Sequence, residues 1–370
     1  MKKLTILAAL LMSVACTQPT DQVLATLKKA VAEGKVLYGH QDDLLYGHTW
    51  NATLEDDHTM ERSDVKFVTG DYPAILGLEL GDFELGDFEL GAQRNLDGND
   101  IDLTREAAVK HYLRGGIVTI SWHPDNPVTG GDAWDLTGGD VVAKLLPGGD
   151  LHDMWMERMG RIGDFLESIK TPDGKPVPII WRPWHEHTCS WFWWGWDFCT
   201  AEEYNAFWIM TWNYMVKERG LKNLLWAISP NGVDFFEDWP QRYPGDKYVD
   251  IVGLDIYCPT WMPQEQALPY YMESTPLLLA SLEKFAKDHG KVLALTETGY
   301  EGLTWPTWWT EVLEPAIKGF PIAYLLTWRN TSEPDRRDVH FYAPFPGGPT
   351  EQDFCKWINE NNILLLNGIK

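Results

Sequence analysis

Eight short apolar runs recur along the chain with helix-length amphipathic segments between them, and this alternation restricts the fold more than any other feature. The runs begin with Val36 to His40 and continue at Ala74 to Leu80, Ile117 to Trp122, Val177 to Trp181, Leu224 to Ile228, Ile251 to Ile256, Val292 to Thr296 and Ala323 to Thr327. Segments such as 105–114, 151–169, 201–218, 275–287 and 309–318 carry apolar residues at three- and four-residue spacing. Strands that read as continuous apolar runs are buried on both faces, which is the habit of parallel sheets covered by crossover helices. Eight such units without a break in composition predict an α/β fold: a single (β/α)8 TIM barrel with elaborated loops on its carboxyl-terminal face. A doubly wound sheet shares the alternation, but eight units favour closure. Thr200-Ala-Glu-Glu203 reads as a capping box, and Gly220 and Gly290 follow helices. Gly-Asp-Phe-Glu-Leu occurs twice in tandem across 81–90, a local duplication at or just past the second strand.

The amino terminus follows a different logic. Lys2 and Lys3 precede an apolar run from Leu4 to Met12, then Ser13, Val14, Ala15 and Cys16. A run this short cannot span a bilayer, and the order basic, apolar, small, cysteine reads as an export signal of the lipoprotein kind. It resembles a bacterial lipobox, with Ser13 where an aliphatic residue is commoner. On that reading 1–15 is a signal peptide, Cys16 is the lipidated residue, 16–34 is a tether and first helix, and 35–370 is the catalytic domain. No acidic cluster follows Cys16, which points to a membrane-anchored, periplasm-facing protein over a surface-exposed one. Cys189, Cys199, Cys258 and Cys355 form no CxxC, and a disulfide between any two of them stays open.

With 54 acidic residues against 31 Lys plus Arg, the formal net charge is −23. That field repels nucleic acid and anionic membranes, and suits a neutral polymer better than a polyanion. The chain also has 20 tryptophans. Many must be core, but several are expected to offer ring faces in a groove, where sugar C–H bonds pack on the ring and hydroxyls reach polar groups at its edge.

In a barrel of this kind, chemistry collects at strand carboxyl ends and the loops beyond them. Polar groups stand there after the first strand (His40, Gln41, Asp42, Asp43), the third (His123) and the fourth (Arg182, Trp184, His185, Glu186, His187). More follow the sixth (Asp255, Tyr257), the seventh (Thr296, Glu297, Tyr300) and the eighth (Trp328, Arg329, Asn330). All are placed by this reading around one bowl, with 125–150, 261–275 and 330–350 as the loops that set its length. Glycosidic hydrolysis needs one carboxylic acid to protonate the leaving oxygen and a second carboxylate to attack the anomeric carbon or activate water. Glu186 and Glu297 are the candidate pair. For Glu186 alone a structural salt bridge with Arg182 competes. Asp42, Asp43, Asp82 and Asp255 fit orienting roles better.

The runs Trp181-Arg-Pro-Trp-His-Glu-His187, Trp191-Phe-Trp-Trp-Gly195 and Thr296-Glu-Thr-Gly299 resemble glycoside hydrolase family 26, mostly β-mannanases. Tyr38-Gly-His-Gln-Asp42, Ser121-Trp-His-Pro124, Tyr243-Pro-Gly-Asp246, Val249 to Tyr257 and Thr327-Trp-Arg-Asn330 match in the same order. The resemblance implies a retaining endo-β-1,4-mannanase acting by double displacement on mannan, galactomannan or glucomannan. Glu186 would be the general acid/base and Glu297 the nucleophile, with carboxyl groups about 5–5.5 Å apart. It also implies substrate contacts from His123, Arg182, His185, Trp191, Tyr257 and Trp328, with Tyr257 holding the nucleophile. No metal or cofactor is implied, and the expected state is a monomer touching membrane only through its lipid. Mixed-linkage β-glucan or β-1,3-xylan are alternative substrates, and a non-catalytic carbohydrate-binding lipoprotein is a second alternative. His185-Glu-His187 also resembles the metal-binding pairs of barrel hydrolases, but those stand on the first strand. Trp193 or Trp194 is expected to be packing, while Trp305, Trp308 and Trp309 are open between a sugar platform and a helix face.

Overall fold

A computed structural model describes residues 18–53, 59–86, 93–232 and 236–370. The expected signal peptide, the lipidation site Cys16 and most of the second Gly-Asp-Phe-Glu-Leu copy lie outside them.

The apolar runs become β1 (Val36–Gln41), β2 (Ile75–Glu79), β3 (Ile117–Trp122), β4 (Ile179–Pro183), β5 (Leu224–Ile228), β6 (Ile251–Cys258), β7 (Val292–Tyr300) and β8 (Ile322–Thr327). They pair in parallel in chain order, and β1 bonds both β8 and β2, so the sheet closes on itself. A short β9 (Ile363–Leu364) lies outside the circle against Val36 and Leu37. Every residue of β3, β4, β5, β7 and β8 is buried, because the barrel interior takes one face and the helices the other. At the amino-terminal end Leu37, Ile75, Ile117, Ile180, Leu225, Ile251 and Val292 cluster with Val23, Leu27 and Ala30 of α1 (Pro19–Ala32), which seals that end with hydrocarbon.

The remaining helices are α2 (Asp64–Thr69), α3 (Ile101–Leu113), α4 (Val141–Leu145), α5 (His152–Ser168), α6 (Ala201–Trp212), α7 (Gln264–His289), α8 (Glu314–Ile317) and α9 (Glu351–Glu360). The capping box at Thr200 is formed, and Gly220 and Gly290 adopt positive φ. The segment expected as one helix over 201–218 changes at Asn213 to π-helical turns.

Two expected loops contain helix. Val141, Val142 and Leu145 bury one face of α4 within 125–150. The stretch 261–275 is mostly the start of α7, although Pro269 and Pro276 lie inside it. Ala267, Leu268, Tyr271, Thr275, Leu279, Leu282 and Ala286 form its buried stripe. Burial of that stripe, at about 1.5–3 kcal/mol for each large side chain, outweighs about 3 kcal/mol per interior proline.

One irregularity matters for the site. Between β6 and β7 the register runs Leu254 to Leu295 and then Asp255 to Glu297, so Thr296 is bulged out of the ladder. Its hydroxyl donates to Asp255 Oδ1 (2.6 Å) and Leu254 O (3.1 Å). A Cβ on Gly253 would lie 2.3 Å from that hydroxyl, so only glycine accepts the bulge there.

Candidate active site

A cavity of about 590 Å³ opens on the carboxyl-terminal face above β3 to β8. His123, His185, Glu186, Trp191, Tyr257, Glu297 and Trp328 all line it, which brings together every described member of the candidate catalytic pair and substrate contacts except Arg182. Arg182 is buried beside the cavity and acts through its ion pairs.

The bulge at Thr296 sets Glu297 opposite Asp255. Arg182 donates through one nitrogen to Asp255 Oδ2 (2.9 Å) and through the other to Glu297 Oε1. Ser229 Oγ donates to the same Asp255 oxygen (2.8 Å). Tyr257 donates to Glu297 Oε2 (2.7 Å), so both oxygens of Glu297 are held. Burial, reinforced by the charge of Glu297, pushes the Tyr257 phenol well above its ordinary value, which keeps it a donor. The competing salt bridge of Arg182 with Glu186 is absent: this cation serves Glu297 and Asp255.

Glu186 lies two residues past Trp184, and both adopt left-handed backbone, φ 52° and 54°. Such conformations cost on the order of 1–3 kcal/mol each in non-glycine residues and persist only when the surroundings impose them. Here Glu186 N donates to Ser229 O (2.7 Å), tying the acid's backbone to the end of β5. Asn231 Nδ2 donates to Glu186 Oε1 (2.8 Å) and Trp191 Nε1 to Oε2 (2.7 Å). Burial and then the charge of Glu297 raise the Glu186 carboxyl to about 7, against the lowering effect of those two donors. One carboxyl therefore keeps its proton near neutrality beside another that is oriented by a cation and a phenol, which is the division of labour an acid and a nucleophile require.

His123 and His185 meet at 2.9 Å through their Nε2 atoms, and Glu79 Oε2 bonds His123 Nδ1 at 2.8 Å. His187 packs on Tyr204 (ring centroids 4.6 Å) and does not line the cavity, so the two histidines of the His-Glu-His run serve different places. Trp193 and Trp194 are both buried, donating to Pro124 O and His185 O at 2.9 Å each. Trp308 and Trp309 are helix face and core, Trp309 stacking on Trp357. Tryptophan thus serves chiefly as packing, while Trp134, Trp191, Trp261 and Trp328 border the cavity.

The expectation that the first strand contributes to the bowl is corrected. His40 bonds Asp43 (2.7 Å), Gln41 lies over Gly77, and Asp42 accepts from Tyr46 (2.8 Å), all buried away from the cavity. Arg329 pairs with Asp97, and Asn330 bonds Asp64 and the backbone of Tyr342 and Ala343. His40 and Asp42 thus bond into the loop after β1, while Arg329 and Asn330 tie the end of β8 to the segments after β2 and β1. Cys199, Cys258 and Cys355 are free thiols.

Sequence reasoning missed Asn231, Glu79, Trp134, Trp261 and Tyr342. Asn231, three residues past β5, was within reach of the same strand-end rule, and Glu79 is a charge at the end of an otherwise apolar strand. Trp134 and Trp261 lie in loops, where no periodicity points.

A (β/α)8 barrel with two buried carboxyl groups, one raised by burial and the other held by a cation and a phenol, set among aromatic rings at strand carboxyl ends, defines a glycoside hydrolase. The sequence profile of Glycosyl hydrolase family 26 matches residues 13–291, and the chain belongs to that family. It is similar to a family 26 β-mannanase structure from Bacteroides ovatus, with 39% identity, a TM-score of 0.85 and coverage of 95% of this chain and 96% of that one. An endo-β-1,4-mannanase structure from Cellulomonas fimi shares 32% identity at a TM-score of 0.80, covering 96% and 77%. A mannan endo-1,4-beta-mannosidase of Bifidobacterium adolescentis is 29% identical over 94% of this chain, which spans only 35% of that relative's length.

Proposed function

We propose that the chain is a retaining endo-β-1,4-mannanase in which Glu297 attacks the anomeric carbon and Glu186 first protonates the leaving oxygen, then deprotonates water. The observation that carries this is the pair itself: Glu186 raised to about 7 by burial and by Glu297, and Glu297 fixed by Arg182 and Tyr257. Trp191 and Trp328 supply ring faces for sugars beside the pair, and His123 and His185 supply polar edges. The mannan substrate is supported by the names of the relatives at 29–39% identity.

Reducing-end release from linear mannan, galactomannan, glucomannan and mixed-linkage β-glucan, with wild type and Glu297→Ala in parallel, tests the proposal. Cleavage of the mannans is expected, falling on the order of 10⁴-fold or more in the variant while oligosaccharide binding persists. Cleavage of mixed-linkage glucan alone would overturn the substrate, and equal loss of binding and fold would overturn the role of Glu297.

Export and lipidation belong to the same proposal, supported by the order of residues from Lys2 to Cys16. The protein expressed in a lipoprotein-processing bacterium is expected to partition into detergent, and Cys16→Ala to release it into the aqueous phase. Equal aqueous partition of both would remove the anchor.

A further inference from the structure

Glu79 closes β2 and accepts four hydrogen bonds. Gly81 N (2.7 Å) and His123 N (2.8 Å) donate to Oε1, while Ser121 Oγ (2.6 Å) and His123 Nδ1 (2.8 Å) reach Oε2. An oxygen pair satisfied entirely by donors can itself only accept, so His123 Nδ1 carries a proton. His123 Nε2 then faces His185 Nε2 across 2.9 Å, a contact that needs one hydrogen and has room for one. His185 Nδ1 is buried, has no hydrogen-bond partner among the described residues and belongs to a ring that lines the cavity.

The hydrogen in that contact has two sources. When His123 is a cation, its Nε2 donates, His185 Nε2 accepts, and the single proton of neutral His185 sits on Nδ1. When His123 is neutral, its Nε2 is a lone pair, His185 donates from Nε2, and Nδ1 is a lone pair. One proton gained or lost at His123 therefore reverses what His185 offers to the cavity. A sugar hydroxyl set between His185 and the carboxylate of Glu297 must give its own hydrogen to the carboxylate, which can only accept. It then needs a donor from His185.

We propose that Glu79, acting through His123, is a positioning residue that sets the tautomer of His185, and that only the Nδ1–H tautomer recognises the sugar hydroxyl beside the nucleophile. This rests on the glycosidase reading of the site. The groups facing His123 are Glu79 from β2, Glu297 from β7 and Asp97 from the loop after β2, against Arg182 from β4. Those facing His185 are Arg182, His123 and His187. Burial opposes the charge on His123, but Glu79 outweighs it and raises His123 above its ordinary value, whereas burial and the neighbouring cation Arg182 keep His185 neutral. The donor tautomer therefore prevails while His123 holds its second proton and is lost as His123 deprotonates.

Nitrogen-15 NMR of the imidazoles in the intact, unliganded enzyme tests this, together with the pH dependence of kcat/KM on mannan. In wild type, His185 is expected to pass from Nδ1–H to Nε2–H as pH rises through the titration of His123. On the alkaline side the rate is expected to fall more steeply than about tenfold per pH unit, approaching about a hundredfold, because Glu186 and His123 must both be protonated. In Glu79→Gln the amide donates to His123 Nδ1, the only remaining proton of His123 moves to Nε2, and His185 is held as Nδ1–H at every pH. The variant's alkaline limb should relax to about tenfold per pH unit. A His185 tautomer that stays constant across the wild-type titration of His123 overturns the proposal, and that spectrum needs no variant to fold. A tautomer that still switches in folded Glu79→Gln does the same for Glu79. An intact switch without turnover of any glycan sinks the glycosidase reading alone.

Discussion

Two clusters of buried carboxyl groups occupy the same face of this barrel, and they differ in how their cation is shared. Over β4 to β7, Arg182 serves Glu297 and Asp255 and leaves Glu186 without a cation of its own. Beside β1 and β8, Arg329 stands among Asp42, Asp97 and Tyr46, pairing with Asp97 at 3.1 Å and facing the Tyr46 hydroxyl that bonds Asp42. Burial raises the carboxyls of Asp42 and Asp97 as well as that of Glu186. A raised carboxyl therefore does not mark a catalyst by itself. What distinguishes Glu186 is its place on the open cavity, its partner Glu297, and two neutral donors, Asn231 and Trp191, in place of a guanidinium.

Three substitutions probe that difference. Glu186→Gln removes the proton donor and is expected to lower kcat on mannan about 10²–10⁴-fold, with much less loss of the first step on an aryl mannoside whose leaving group needs no proton. Equal losses on both substrates in steady-state and burst kinetics would break the contrast. Arg329→Met, by comparison, should act on stability. Removing the cation from a buried pair costs about 3–5 kcal/mol, read from urea unfolding, with kcat at saturating substrate little changed. Without Arg329 the folded-state affinities of Asp42 and Asp97 for protons rise further above the unfolded values, so protonation stabilises the variant. The deficit should shrink towards acid pH and grow as pH rises.

The smallest effect expected is a displacement of the alkaline limb. With Glu186 as the proton donor, wild-type activity is expected to fall as pH rises through about 7, where its carboxyl ionises. Asn231→Ala deletes a donor that stabilises the ionised carboxylate, so the limb should move upward by about half to one pH unit, the shift produced by a hydrogen bond of about 1 kcal/mol. A downward shift would mean that Asn231 holds the protonated form instead.

The strands are legible because burial on both faces leaves a continuous apolar run, and the pair Glu186 and Glu297 because a barrel concentrates polar residues at strand ends. Other features depend on partners far apart in sequence. Arg182 stands four residues before Glu186, yet its nitrogens reach Asp255 and Glu297, 73 and 115 positions away. No local pattern announces which acid a cation will serve. Glu79 stands out in the sequence as a charge ending an apolar strand, but its role does not, since its partner His123 lies 44 residues on. At the start of α7, Pro269 and Pro276 are strong local signals against a helix, overridden by a buried stripe whose partners are remote.

The Trp191 to Trp196 loop is held from a distance. The guanidinium of Arg242, buried, donates to the carbonyls of His187, Trp194, Gly195, Trp196 and Cys199. All five belong to the loop that follows β4, while Arg242 lies beyond β5, 43 to 55 positions later in the chain. On a ribosome the loop therefore emerges before the residue that gathers its carbonyls. A nascent chain that ends before residue 242 therefore carries Glu186 and Trp191 without the five carbonyl contacts that Arg242 makes to the loop around them.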